Sequence, residues 1–130
     1  AAMRRACDSY RPDAYDEYKA WCDKYFYLTH RKEPRGVGGI FFDDLNSGNF
    51  EKDFAFVQAV GEAFLEIYPQ IVARRKNTPY TPEDMEKLLI KRGRYVEFNL
   101  VYDRGTKFGF ATDANPEAYL MSMPPTVRWP

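Results

Sequence analysis

Hydrophobic residues recur at three- and four-residue steps in three long stretches of this chain, and short breaks rich in glycine, proline and asparagine separate them. From Pro12 to roughly Arg31, the residues Tyr15, Tyr18, Trp21, Cys22, Tyr25, Phe26 and Leu28 trace the apolar face of an amphipathic helix, with Asp13, Asp16 and Glu17 near its start. Pro12 suits a first helical turn, and the last turn is expected to deliver His30 and Arg31 to a loop that leaves the helix at Pro34. Phe50 to about Lys76 keeps helical spacing through Phe54, Val57, Val60, Phe64, Leu65, Tyr68, Ile71 and Val72, and Pro69 is expected to kink this helix or divide it in two. Thr81-Pro82-Glu83-Asp84 places an N-cap, a proline and two acids ahead of a further helix through Met85, Leu88 and Leu89, expected to stop at Gly93.

Elsewhere the period changes. Gly36, Gly38 and Gly39 precede Ile40-Phe41-Phe42, which reads as a short strand entered through backbone that passes close to something bulky. Asp43 and Asp44 end it, and Asn46 to Asn49 form a turn. Tyr95 to Tyr102 alternates β-forming residues with Glu97 and Asn99, Gly105 marks a turn, and Lys107 to Thr112 reads as the returning strand of a hairpin. Ala118 to Met123 is either another strand or a short helix. The pattern predicts an α+β fold in which helices flank an antiparallel or mixed sheet, as one domain over residues 1–130 with no internal repeat or linker.

Composition narrows the chemistry. Hydrophobic residues at 45% and charged residues at 29% describe a soluble globular chain, and aromatics at 17% supply flat walls as well as core. Nineteen basic and nineteen acidic residues cancel, so no global field holds nucleic acid or an anionic membrane, and an acidic ligand must be met locally. No apolar run is long enough to span a bilayer. Cys7 and Cys22 lack companion histidines, so buried, idle thiols are expected rather than a zinc site. The start AAMRRACDS and the end RWP read as an excerpt from a longer protein, and the absence of a targeting segment favours cytoplasm, with mitochondria as the alternative if one was removed.

His30, the only histidine, is the natural candidate for proton transfer or metal ligation, set against a purely structural hydrogen-bonded role. Arg31, Lys32 and Arg35 surround the glycine-rich turn while Arg92, Arg94, Arg104 and Lys107 flank the expected hairpin, and converging arginines suit a ligand with several carboxylate arms. Lys32 and Arg92 read better as solvated surface charges. Asp103, at the expected strand end, either accepts hydrogen bonds from ring N–H groups of a ligand or starts a turn by bonding its own backbone. Asp43 and Asp44 read as a turn rather than an acid/base pair, since adjacent strand residues point to opposite faces. The Gly36 to Gly39 loop precedes a strand instead of joining strand to helix, which argues against nucleotide binding.

The stretches WCDKYFYLTHRKEPRGVGGIFFDDLN and RGRYVEFNLVYDRGTKFGF, followed by LMSMPP and RW, resemble the later part of the oxygen-dependent coproporphyrinogen III oxidase family, from about Tyr18 to Trp129. The resemblance implies oxidative decarboxylation of two propionates of coproporphyrinogen III to vinyl groups, giving protoporphyrinogen IX in haem biosynthesis, with dioxygen as co-substrate and no organic cofactor. It further implies a large antiparallel sheet flanked by helices and a homodimer, whose dimerisation region corresponds to residues 95–130. His30 matches the histidine of the family's YFYLxHR motif, one of several histidines proposed there as ligands of a divalent metal whose requirement is disputed. Asp103 and Arg104 match its YDRGT motif, whose aspartate is proposed to meet the pyrrole N–H groups, and Arg35 is assigned with Arg104 to substrate binding. The family's substrate-binding TGGR segment corresponds to Thr112-Asp113-Ala114-Asn115, so Asp113, Ala114 and Asn115 replace both glycines and the arginine. Other family histidines lie upstream of this chain, so it is expected to be inactive without the missing upstream segment. The competing readings are a noncatalytic tetrapyrrole-binding or dimerisation module of that family, and an unrelated α+β interaction domain.

Overall fold

The computed structural model describes residues 1–130, and they divide into two compact units: residues 1–25 with 38–79, and residues 26–37 with 80–130. In the first unit, α1 (Ala2–Tyr10) buries Ala2, Ala6 and Cys7, and α2 (Ala14–Tyr25) buries Ala14, Tyr18 and Cys22, in each case at helical spacing. The third helix of this unit, α3 (Phe50–Arg75), packs mainly on α1. Its entry follows from the turn Asn46 to Asn49. Gly48 takes φ +81° and donates its N–H to Asn46 Oδ1, while Asn49 caps the helix by accepting from Lys52 N.

The core of this unit is aromatic. Phe56 stacks on Tyr10 at 4.5 Å between ring centroids and meets Tyr18 and Phe42 at 5.7 and 5.1 Å. Ile40 to Phe42 is not a strand: no second strand pairs with it, and Phe41 N instead donates to Tyr18 O at 3.1 Å, laying the segment along α2. The expected close backbone approach is found at Gly38, where an added Cβ would sit 2.9 Å from Asp23 Oδ1 and 3.4 Å from Cys22 Sγ, but not at Gly36 or Gly39, where nothing lies within 4 Å. Both cysteines are free and buried, as their sequence context predicts.

In the second unit, β1 (Tyr27–Leu28) pairs antiparallel with β2 (Glu33–Pro34), with Leu28 opposite Glu33. The helix expected to reach Arg31 therefore ends at Tyr25. Pairing satisfies the backbone and fully buries Leu28, while the loop Thr29 to Lys32 carries His30 and Arg31. Helix α4 (Pro82–Val101) opens with the expected Thr81 cap, which is a full capping box: Thr81 Oγ1 accepts from Asp84 N, and Asp84 Oδ2 accepts from Thr81 N.

Two expectations fail in this unit for one reason. α4 does not stop at Gly93 but continues through Val101, so Tyr95 to Tyr102 is helix rather than strand, and Lys107 to Thr112 falls in α5 (Arg104–Ala111) and its C-cap rather than in a returning strand. Helical geometry puts Arg94, Glu97, Phe98 and Tyr102 on one face, where Phe98 is buried and the polar members find partners; a strand would split them between two faces. Gly93 is where the chain terminus lies against α4: a Cβ there would meet Arg128 O at 2.7 Å, and Arg128 N donates to Leu89 O. α6 (Pro116–Leu120) realises the helical alternative for its segment. The chain is thus mostly helical with a two-stranded antiparallel sheet, and the large sheet expected from the sequence is not present in it. Pro69 lies inside α3 without dividing it.

Candidate functional site

The second unit gathers ionisable groups around the β1–β2 loop and one face of α4. Glu97 is the hub. Its Oε1 accepts from Arg31 Nη2 at 2.6 Å and from Arg94 Nη1 at 3.3 Å, while its Oε2 accepts from Arg31 Nε at 2.9 Å and lies 2.8 Å from His30 Nε2. Arg94 also donates through Nε to Glu33 Oε1 at 2.7 Å. The side chains of Arg94 and Glu97 are only 11% and 13% exposed, so the attraction is little weakened by water. The hydrogen bonds of Arg31, then those of His30, hold the Glu97 carboxyl at a pKa of about 2, below its ordinary 4.5, against the opposing effect of burial.

That ionised carboxylate fixes the tautomer of His30. A carboxylate only accepts, so Nε2 carries the proton, and in the neutral ring Nδ1 is the acceptor, 3.0 Å from the Tyr102 hydroxyl. The same hydroxyl accepts from the His30 backbone N–H at 3.3 Å. With 42% of its side chain exposed, His30 is an oriented imidazole open to a ligand and linked to a phenol through Nδ1. This arrangement can hold a proton at Nδ1 or pass one to Tyr102 Oη.

Asp103 follows Tyr102 directly. Its Oδ2 caps α5, accepting from Thr106 N at 2.7 Å, which matches the backbone-bonding alternative raised for it, although the bond opens a helix rather than a β-turn. Oδ1 makes no hydrogen bond within the chain and remains able to accept one. Arg104 is the first residue of α5. Arg35 donates its backbone N–H to Phe26 O, and its guanidinium stacks over three rings, 4.0 Å from Phe26, 5.1 Å from Tyr95 and 5.3 Å from Phe98. Beside it lies an open cavity of about 300 Å³ lined by Arg35, Gly36, Val37, Leu88, Lys91, Arg92 and Tyr95, which combines three cations with an apolar wall.

Asp113, Ala114 and Asn115 form the α5–α6 turn, with local bonds: Ala114 N donates to Gly109 O, and Asn115 Oδ1 accepts from Glu117 N. Asp113 holds φ +52°, a left-handed conformation that glycine adopts freely and aspartate tolerates better than most residues. His30 and the residue preceding Asp103 are thus brought together, whereas the hydrogen bonds named for Ala114 and Asn115 are local to their turn. Asp43 accepts from Trp21 Nε1 in the first unit, and Asp44 beside it holds φ +53°, a turn conformation.

Glu97, Tyr102 and Glu33 are the site residues that pattern reading missed. An opposite-charge pair three residues apart, Arg94 and Glu97, was the available signal, and it is visible only to a helical reading. No group of three or more His, Cys, Asp or Glu side chains is placed to hold a metal, and both ring nitrogens of His30 are engaged, so these residues do not assemble a metal site by themselves.

The second unit thus combines an oriented imidazole, an aspartate that caps a helix and an arginine stacked on aromatic rings. The coproporphyrinogen III oxidase family model matches residues 1–130, and the chain belongs to that family. The oxygen-dependent coproporphyrinogen-III oxidase of Rickettsia bellii (strain OSU 85-389) is 63% identical over 129 residues, which is 99% of this chain and 46% of the relative. The proteins of the same name in Rickettsia africae (strain ESF-5) and Rickettsia akari (strain Hartford) are each 62% identical over the same shares. The chain therefore spans about half the length of the curated relatives it matches. No helix is long and apolar enough to cross a membrane.

Proposed function

We propose that this chain is the substrate-facing part of an oxygen-dependent coproporphyrinogen III oxidase. The observation that carries the reading is the family match across all 130 residues, with His30, Asp103, Arg104 and Arg35 all in the unit that holds the ionic network. In the proposed reaction each of two propionates loses carbon dioxide and a hydride equivalent to become a vinyl group. One dioxygen accepts both hydride equivalents and two protons, giving two waters.

In this reading Asp103 Oδ1 accepts from pyrrole N–H groups and holds the macrocycle in register, while its other oxygen stays on the α5 cap. Arg35, stacked on aromatic rings and flanked by Lys91 and Arg92, holds a propionate that is not reacting, and Arg104 holds another. His30, fixed by Glu97, handles a proton at Nδ1 with Tyr102 as its neighbour in the relay. The turn at Asp113, Ala114 and Asn115 meets the substrate through the backbone N–H groups of Asp113 and Asn115 in place of a side-chain cation, while the Ala114 N–H stays on Gly109 O and fixes the turn. A divalent metal, if the family requires one, would need ligands beyond His30. Residues 95–130, with exposed Phe108, Phe110 and Met121, form the homodimer contact, and the bacterial relatives support a cytoplasmic setting.

The test is aerobic formation of protoporphyrinogen IX from coproporphyrinogen III by three proteins: this chain, this chain fused to the portion of the Rickettsia bellii relative that it does not span, and the fusion carrying Asp103→Ala. Turnover by the unmutated fusion alone supports the proposal. Turnover by the isolated chain, or by Asp103→Ala at the unmutated rate, overturns the assigned roles. Substrate binding without turnover by the fusion favours a noncatalytic tetrapyrrole-binding module, the reading that the replacement of the family's TGGR segment would support.

A further inference from the structure

Helix α3 carries more apolar residues than its own unit covers. Phe56 is its one buried residue, and Asp53, Ala59, Val60, Ala63 and Ile67 around it are partly covered, which makes one face. Positions 50, 54, 57, 61, 64, 68 and 71 follow one another at alternating steps of four and three residues, and they carry Phe, Phe, Val, Gly, Phe, Tyr and Ile. That spacing keeps a single seam along a helix and is the spacing with which helices pack side by side. The seam spans roughly 32 Å at 1.5 Å per residue.

These side chains lie open. Phe50 is 74% exposed, and Phe54, Phe64 and Tyr68 are each about half exposed. The rings are already arrayed along the helix, with Phe50 on Phe54 at 5.9 Å and Phe64 on Tyr68 at 5.0 Å, both stacked. Glu51, Gln58, Glu62, Glu66 and Gln70 occupy the polar remainder of the helix. At its N-terminal end the seam opens into an apolar hollow of about 580 Å³ lined by Phe42, Leu45, Phe50, Phe54 and Val57, among others, which is room for a large side chain. Gly61 leaves the backbone bare at mid-seam, with nothing within 4 Å of an added Cβ, so another helix could approach closely there.

We infer that this seam is the docking surface for a helix from the part of the family sequence that this chain does not span. Two observations select that occupant. More than half of each relative's length lies outside the matched span, so ample chain exists to cover the face. The seam margins also lack the alternating charges that would specify pairing with a second copy: one margin reads Glu51, Gln58, Leu65, Val72, and the other faces α1. The inference rests on family membership and is independent of the proposed reaction.

The test supplies this chain with the uncovered portion of the Rickettsia bellii relative as a separate polypeptide, following complex size by light scattering and hydrogen exchange over residues 50–72. A one-to-one complex is expected, with exchange over that segment slowed at least tenfold. Phe54→Glu with Phe64→Glu should weaken the complex at least a hundredfold while leaving the circular dichroism of the chain unchanged, because both residues are exposed; Glu62→Gln on the polar face should not weaken it. No complex, a complex without protection of residues 50–72, or binding indifferent to the seam variants overturns the inference. So does self-association of the chain alone that protects the same segment, which would assign the seam to a second copy.

Discussion

The first unit is held by rings and the second by ions, and the contrast shows how differently two halves of one short chain can be specified. Around Phe56 the contacts are aromatic stacks of adaptable geometry, so the segment Ile40 to Leu45 can pack there without regular structure. Around Glu97 every partner is directional, and a shift of one residue in the β1–β2 loop would break His30 and Arg31 away from the carboxylate together. An apolar cluster tolerates changes in pH and salt, whereas a half-buried ionic network couples folding to both.

The largest expected effects break each unit at its own centre. Phe56→Ala should destabilise by about 3–5 kcal/mol through a lost ring and the cavity left behind. Arg94→Ala should cost about 1.5–3 kcal/mol because Glu33 and Glu97 each lose a charge-assisted hydrogen bond, while Lys91 stays beside Glu33 and Arg31 beside Glu97. Urea unfolding measures the size, and hydrogen exchange separates the two: protection should fall first over residues 1–25 and 38–79 for Phe56→Ala, and over residues 26–37 and 80–130 for Arg94→Ala. Uniform loss in either variant would show that the contrast does not extend to stability.

A smaller effect sharpens the comparison through acid. Because the Glu97 carboxyl is held at about 2 instead of 4.5, its contribution is complete above pH 4.5 and is lost as pH falls from 4.5 towards 2. The urea midpoint should therefore drop across that window, and Glu97→Gln should flatten the drop without abolishing it, since Arg94 also holds Glu33 low and Ser47 holds Asp53 low. An unchanged pH profile in Glu97→Gln would remove the hub from the account. Smallest of all, Asp113→Gly relieves a left-handed backbone by about 1 kcal/mol but frees the unfolded chain by about 0.5–1 kcal/mol, so stability should move by only a few tenths of a kcal/mol.

What could be read from sequence follows the same divide. The helix from Phe50, the Thr81 cap and the Asn46 to Asn49 turn are local events, decided by spacing or by one residue's chemistry. The Tyr95 to Tyr102 segment was misread because its β-forming residues alternate over eight positions, while the contacts that decide the matter lie more than sixty residues away at His30, Arg31 and Glu33. Gly93 was misread as a helix stop for a related reason: the sequence marks a missing side chain but cannot say that residues 128–129 lie over it. His30, Asp103 and Arg104 were legible from their chemistry and position as well as from motif resemblance, whereas Glu97, which orients His30, had no motif to announce it. The seam residues of α3 were legible as apolar, yet nothing local distinguished a core face from a face left open.

The notch at Gly93 makes residue 93 and the chain end an epistatic pair. An alanine there collides with the backbone at Arg128 and the ring of Trp129, so its penalty belongs to the contact and not to the helix, in which alanine is the better residue. In a chain shortened before Arg128 the same substitution should change sign and become stabilising. A sequence that varies at this position is therefore expected to vary at positions 128 and 129 as well.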